Sequence, residues 1–222
     1  MYSRAACIIT VGPGYRRKLV EWHHVPEEKI RVVTNGVDEE LFTPHNPESR
    51  PLMNQHGFGD RFVVTYCGTI GLAHRLETVL EAAKFLQHRK DIGFLMVGDG
   101  AEGDRLKRLA EQSGLSNLVF TGLLPKDQIP EVLAESNACL IHLRRCDLFQ
   151  TVLPSKMFEA MGMARPVLLG VEGDSRELLE EAEAGIPFEP ENAGALAAAV
   201  ESMADDPALA TRLGDNRLRF VR

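Results

Sequence analysis

The stretch R-F-V-V-T-Y-C-G-T-I-G-L-A-H-R, residues 61–75, decides the fold. Residues 61–67 are β-branched, aromatic and almost continuously apolar, as a strand covered on both faces must be. Gly68 and Gly71 break that run, and Leu76, Val79, Leu80, Ala83 and Leu86 then recur at helical spacing. Strand, tight turn and helix make one βα unit, and repeats of that unit build a parallel sheet.

The same alternation extends outward. Strand-like runs stand at 92–97, 118–121, 138–142, 166–169 and 185–188. Helical stripes lie between them at Ile129, Val132 and Leu133 and at Leu196, Val200 and Met203, continued by Leu209 and Leu213. The fold class is α/β, a Rossmann-like parallel sheet flanked by helices. Two earlier runs, 6–11 and 30–34, are joined by the amphipathic Y-R-R-K-L-V-E-W. Between these and the main alternation, 42–60 is polar and carries Pro44, Pro47 and Pro51, which reads as a linker or boundary. Two strands cannot bury two sheet faces. Residues 1–44 are therefore expected to be the remnant of an N-terminal domain with its inter-domain segment, and 45–222 a complete domain. Exposed strand edges predict self-association through 1–44, or irregular packing there. The final L-R-F-V-R stops inside a helical pattern without a cap, so the C-terminus reads as cut.

Composition excludes several classes. A formal net charge of −7 over 222 residues argues against a chain that coats a nucleic-acid backbone. Cys7, Cys67, Cys139 and Cys146 show no C-x-x-C spacing and read as buried free thiols in a reducing cytoplasm. No apolar run is long enough to span a bilayer, and the start lacks the apolar segment of a signal peptide. Gly98, Gly100 and Gly103 complete a G-x-G-x-x-G pattern, but Asp99 would face a pyrophosphate, and Phe120-Thr121-Gly122 closes the next strand where an acid is needed. These glycines read as a tight βα turn at the ligand-binding edge of the sheet.

Two constellations could hold a ligand. In the first, Gly68 and Gly71 let the backbone approach closely, a helix N-terminus follows, and His74 and Arg75 add donors, a set suited to phosphate. Taken alone it reads equally as a plain βα turn. The second is F-Q-T-V-L-P-S-K-M-F-E-A-M-G-M-A-R-P-V, residues 149–167. Pro154 and Ser155 start a helix, and Met157, Phe158 and Met161 point inward. Glu159 shares the other face with Ser155, where a carboxylate suits vicinal hydroxyls such as a ribose diol. Alone, Glu159 reads as a surface acid, and Lys156 equally as a solvated cation or a ligand.

The second constellation resembles the family 4 glycosyltransferases of the GT-B fold. They carry Glu, seven residues, Glu, then A-M-x-x-G-x-P-V and a Gly-x-x-x-Glu turn. Here Glu159, A-M-G-M-A-R-P-V and Gly173 to Glu177 match. I-I-T-V-G-P-G-Y-R-R-K-L and K-I-R-V-V-T-N-G-V-D resemble the family's inter-domain approach and junction, and M-V-G-D-G and F-T-G-L-L-P its donor domain. The order is right over nearly the whole chain. The departures are specific. Thr151 stands where the first Glu belongs, which in the family contacts the transferred sugar. Ala164 replaces a glycine, Thr69 an arginine, and His74 and Arg75 the usual Lys and Gly. This variant is similar to the bacterial branch that builds surface polysaccharides.

The resemblance implies retaining transfer of a sugar from a nucleoside diphosphate sugar, UDP-linked, to a polysaccharide or lipid-linked acceptor, without a metal or cofactor. It implies donor contacts at Gly68, Thr69, His74, Arg75, Gly98, Thr121, Thr151, Val152, Leu153, Lys156 and Glu159. Lys156, His74 and Arg75 would offset the charge of the departing diphosphate. The acceptor site and the catalytic residues would lie on the missing domain, so this portion alone is expected to be inactive. No nucleic acid is expected as a partner. The expected location is the cytoplasm, with the full-length protein peripheral to the inner membrane. Two alternatives stay open: a non-catalytic nucleotide-sugar-binding module, encouraged by Thr151, and half of a nucleotide-sugar epimerase.

Overall fold

The computed structural model describes residues 2–216; the expectation for L-R-F-V-R lies outside them. The chain opens with β1 (Ile8–Thr10), α1 (Pro13–His23) and β2 (Ile30–Val32), followed by the short α2 (Pro51–Gln55). The main alternation is β3 (Phe62–Cys67), α3 (Glu77–Phe85), β4 (Ile92–Val97), α4 (Gly103–Gln112), β5 (Leu118–Gly122), α5 (Ile129–Glu135) and β6 (Ala138–His142). It continues through α6 (Ser155–Gly162), β7 (Val167–Gly170), α7 (Asp174–Ala182), β8 (Gly185–Pro187), α8 (Ala193–Asp205) and α9 (Pro207–Asp215).

Strands β3 to β8 form one parallel sheet in the order β5-β4-β3-β6-β7-β8. The chain builds outward from β3 to one side, returns to the centre as β6, and builds to the other side. Neighbouring β3 and β6 are thus the topological switch point, with Val64 opposite Ala138 and Thr65 opposite Cys139. Helices α3, α4, α8 and α9 cover one face through Val79, Leu106, Leu196, Met203 and Leu213. Helices α2, α5, α6 and α7 cover the other through Met53, Val132, Met157, Met161 and Leu179. Coverage on both faces is why the central strands carry no polar alternation. The predicted strands are all present, within two residues of the expected ends.

The polar stretch 42–60 is not an open linker. Phe42 packs into the core under α6, and Met53 and Phe58 are fully buried. The Arg50 guanidinium donates to the carbonyls of Glu135, Gly59 and Arg61 and to Asn137 Oδ1 at 2.8–3.0 Å. The Glu135 carboxylate accepts from the free N–H groups of Leu52 and Met53 at the start of α2. The prolines shape a cap on the sheet rather than a flexible tether.

Strands β1 and β2 form their own two-stranded parallel pair. Helix α1 buries only Gly14, and Ile9 (70%), Trp22 (62%) and Val33 (57%) are exposed. Cys139 is buried, but Cys7 is exposed beside the edge of β1, which corrects the buried reading for that thiol.

Candidate functional site

The carboxyl ends of β3 and β6 open a crevice at the switch point, where open α/β sheets bind ligands. Its floor is the turn after β3. The Gly68 N–H donates to Val97 O, the Ile70 N–H to Asp99 O, and the Glu102 N–H back to Ile70 O, all at 2.9–3.0 Å. This interlock puts the Gly68 carbonyl against the Gly98 backbone. Gly98 has φ 127°, and a Cβ there would stand 2.0 Å from the Gly68 oxygen. The glycine pattern at 98–103 is therefore required by loop-on-loop packing. Thr121 sits one step further along the same edge, and the Gly98 N–H donates to the carbonyl of its neighbour Gly122.

Helix α6 faces this turn from the β6 side. Met157, Phe158 and Met161 are buried, as their spacing predicts, which leaves Lys156 and Glu159 half-buried on the face toward the crevice. Lys156 Nζ lies 4.4 Å from the centre of the Tyr66 ring and donates to Tyr66 Oη at 3.2 Å. A Cβ on Gly68 would meet that ammonium at 2.7 Å, so Gly68 leaves room for the cation as well as for a ligand. Burial presses the Lys156 pKa down to about 8, partly countered by Cys67 and Glu159. Burial also raises the pKa of Glu159, against the pull of Lys156 and Lys126. Tyr66 Oη donates to Thr69 O at 2.7 Å and so braces the turn from beneath.

His74 packs edge-on against Tyr66 with ring centres 5.9 Å apart. Burial, then the nearby Lys156 charge, presses its pKa down to about 4. His74 is thus neutral at neutral pH and can donate a hydrogen bond to phosphate but supplies no charge, which narrows the expected role. Arg75 sits in the left-handed region at φ 46°, ψ 51°, where a side chain is strained. A glycine would adopt that conformation without strain. Its guanidinium lies 3.5 Å from Glu191 and 3.9 Å from Glu77 and is exposed. Thr69 is exposed at the rim.

Thr151, Val152 and Leu153 lead into α6. Their carbonyls and side chains serve the N-terminal segment and α7. Asn35 Nδ2 donates to Leu153 O at 2.7 Å, and Ser175 Oγ donates to Val152 O. Thr151 is buried, and a Cβ on Gly14 would stand 2.5 Å from its methyl. Beside it, the buried Asp174 accepts from the Gly14 N–H at 2.6 Å and from Arg17 at 2.8 Å. The structure thus brings Gly68, His74 and Lys156 together, with Glu159 beside Lys156 on α6 and Gly98 and Thr121 along the edge, and packs Thr151 and Leu153 against the start of α1. Sequence reading missed Tyr66, His142 and Asp174; only the position of Tyr66, two residues before the glycine turn, could have pointed to it.

These features define an α/β domain with a glycine-lined crevice at the sheet's switch point. Residues 32–219 match the family model Glycosyl transferases group 1, and the chain belongs to that family. It corresponds to the C-terminal portion of a GT-B protein. It is 27% identical over 96% of its length to the alpha-D-kanosaminyltransferase of Streptomyces kanamyceticus, covering 55% of that protein. It is 28% identical over 96% of its length to the O-antigen chain mannosyltransferase C of Escherichia coli, again covering 55%. It superposes on the Anabaena protein Alr3699/HepE, solved in complex with UDP-glucose, with a TM-score of 0.80 or more: 0.83, at 21% identity, over 98% of this chain and 59% of that one. The chain spans about half the length of the curated relatives it matches.

Proposed function

We propose that this chain is the donor-binding half of a retaining glycosyltransferase that takes its sugar from a UDP-linked donor. The observation that carries the reading is the pairing of Lys156 and Glu159 on the crevice face of α6, opposite the glycine turn at Gly68. In this reading the β3–α3 turn and Lys156 hold the diphosphate, Glu159 accepts from the ribose hydroxyls, and Gly98 and Thr121 flank the base. The bond between the sugar's anomeric carbon and the β-phosphate oxygen breaks, an acceptor hydroxyl takes that carbon on the same face, and the diphosphate leaves with added negative charge. The Lys156 ammonium and backbone N–H groups stabilise that charge where it develops. The acceptor is a polysaccharide or lipid-linked saccharide at the cytoplasmic face of the inner membrane, bound by the remainder of the protein. The chain alone therefore binds nucleotide and transfers no sugar. Residues 1–44 belong with that remainder, and their exposed apolar side chains favour self-association of the isolated chain.

Calorimetry with UDP on the wild type and on Glu159→Ala tests this, with GDP as a comparison. Binding that weakens in the variant supports the ribose contact; no heat in either, or equal affinity in both, removes it. A second reading, a non-catalytic nucleotide-sugar-binding module, draws on Thr151, a buried side chain without a carboxylate beneath Gly14. Sugar transfer by the complete protein excludes it.

A further inference from the structure

At the end of β6, behind the crevice, lies a side chain with no part in the ligand contacts above. His142 is 1% exposed, stacked on Phe188 with ring centres 5.9 Å apart and planes 5° from parallel. A Cβ on Gly170 would stand 2.3 Å from its Cδ2, so the neighbouring strand holds a glycine where the ring needs room. Its Nδ1 lies 2.7 Å from the carbonyl oxygen of His74, and its Nε2 lies 2.9 Å from the backbone N–H of Glu191. A carbonyl can only accept and an N–H can only donate. The ring is therefore neutral, protonated at Nδ1 with its lone pair on Nε2.

Those two bonds join separate loops. His74 belongs to the turn after β3, and Glu191 to the loop between β8 and α8. Glu191 itself is held at φ 62°, its carboxylate accepts from the Arg145 N–H at 2.6 Å, and it lies 3.5 Å from Arg75. The Arg144 N–H donates to Ala73 O at 2.9 Å. Residues 73–75 are thus fastened from behind to the ends of β6 and β8, and the buried His142 side chain bonds to both anchors. A turn meant to present N–H groups to a diphosphate gains from being fixed beforehand, because a mobile turn must be ordered when the ligand binds.

We propose that His142 is a positioning residue: through its Nδ1–H bond to the His74 carbonyl it holds the β3–α3 turn in the shape that grips the donor's diphosphate. This rests on the donor-binding reading above. The groups facing the ring are the His74 and Glu191 backbones and, further off, the Glu77 and Glu191 carboxylates.

The test compares UDP with UMP, so that the contribution of the β-phosphate is isolated, on the wild-type chain, His142→Asn and His142→Gln. Asn places its amide N–H where Nδ1 stands and keeps the bond to His74; Gln reaches the Nε2 position and loses it. The expected result is a ratio of UDP to UMP affinity that is retained in His142→Asn and falls about tenfold in His142→Gln, with UMP affinity unchanged. Equal losses for UDP and UMP, an unchanged ratio in His142→Gln, or an equal fall in His142→Asn would overturn the assignment. A wild-type chain that binds neither nucleotide removes the donor-binding reading itself. Side-chain nitrogen shifts of the unaltered chain give a check free of folding defects: one buried histidine must be the Nδ1-protonated tautomer, and the Nε2-protonated form contradicts the bond to His74.

Discussion

Replacing Lys156 by methionine should move stability and nucleotide binding in opposite directions. The ammonium is half-buried over the Tyr66 ring, and burial presses its pKa from 10.5 to about 8. Holding the charged form there costs the empty fold at most about 3 kcal/mol, reduced to about 1–2 kcal/mol once partial exposure to solvent is counted. Methionine keeps the apolar stem and removes that cost. For a domain of this size the gain corresponds to about 2–8 °C in Tm. The same change removes a charge-assisted bond to the diphosphate, which contributes about 1.5–3 kcal/mol, so UDP affinity should fall about 10- to 150-fold. Thermal melts with and without UDP read both effects in one experiment. The pH dependence follows with a fixed sign. The unfolded chain keeps this proton to about pH 10.5 while the fold releases it near pH 8, so between those values the unfolded state binds more protons. This residue's contribution to stability therefore rises with pH across that window, while wild-type UDP affinity falls as the ammonium is lost. In Lys156→Met both trends should flatten. A variant that melts lower than wild type and binds UDP equally well would refute the placement of this cation.

Other substitutions probe the frame around the site. Gly98→Ala puts a Cβ against the Gly68 carbonyl at a left-handed φ and should cost about 3 kcal/mol or more, read as a loss of soluble protein or a large fall in Tm. Arg50→Ala leaves the carbonyls of Glu135, Gly59 and Arg61 without their donor and should cost about 2–4 kcal/mol in denaturant unfolding, with UDP affinity unchanged. Asp174→Ala removes the acceptor for Gly14 and Arg17, so limited proteolysis should cut within 1–36 faster than in wild type while the sheet domain stays intact.

The sheet was legible because its strands need coverage on both faces, and that demand writes uninterrupted apolar runs such as 92–97 and 138–142 into the sequence. The inward face of α6 was legible for the same reason, through Met157, Phe158 and Met161. Long-range polar geometry was not. Nothing local to Arg50 announces that it caps three carbonyls, so a proline-rich stretch reads as a linker or boundary. His142 sits in an apolar run and reads as one more strand residue, although both its ring nitrogens are engaged by distant loops. The neutral state of His74 depends on burial beside Lys156, which lies far along the chain. Gly14 carries no signal of its own until the fold sets it against Thr151 and Asp174.

The most direct test of the donor-site assignment is a crystal structure of this chain soaked with UDP. The diphosphate is expected over the turn at Gly68, within hydrogen-bonding reach of Lys156, and the ribose hydroxyls on Glu159. A nucleotide bound elsewhere, or one with its ribose turned away from Glu159, would contradict it.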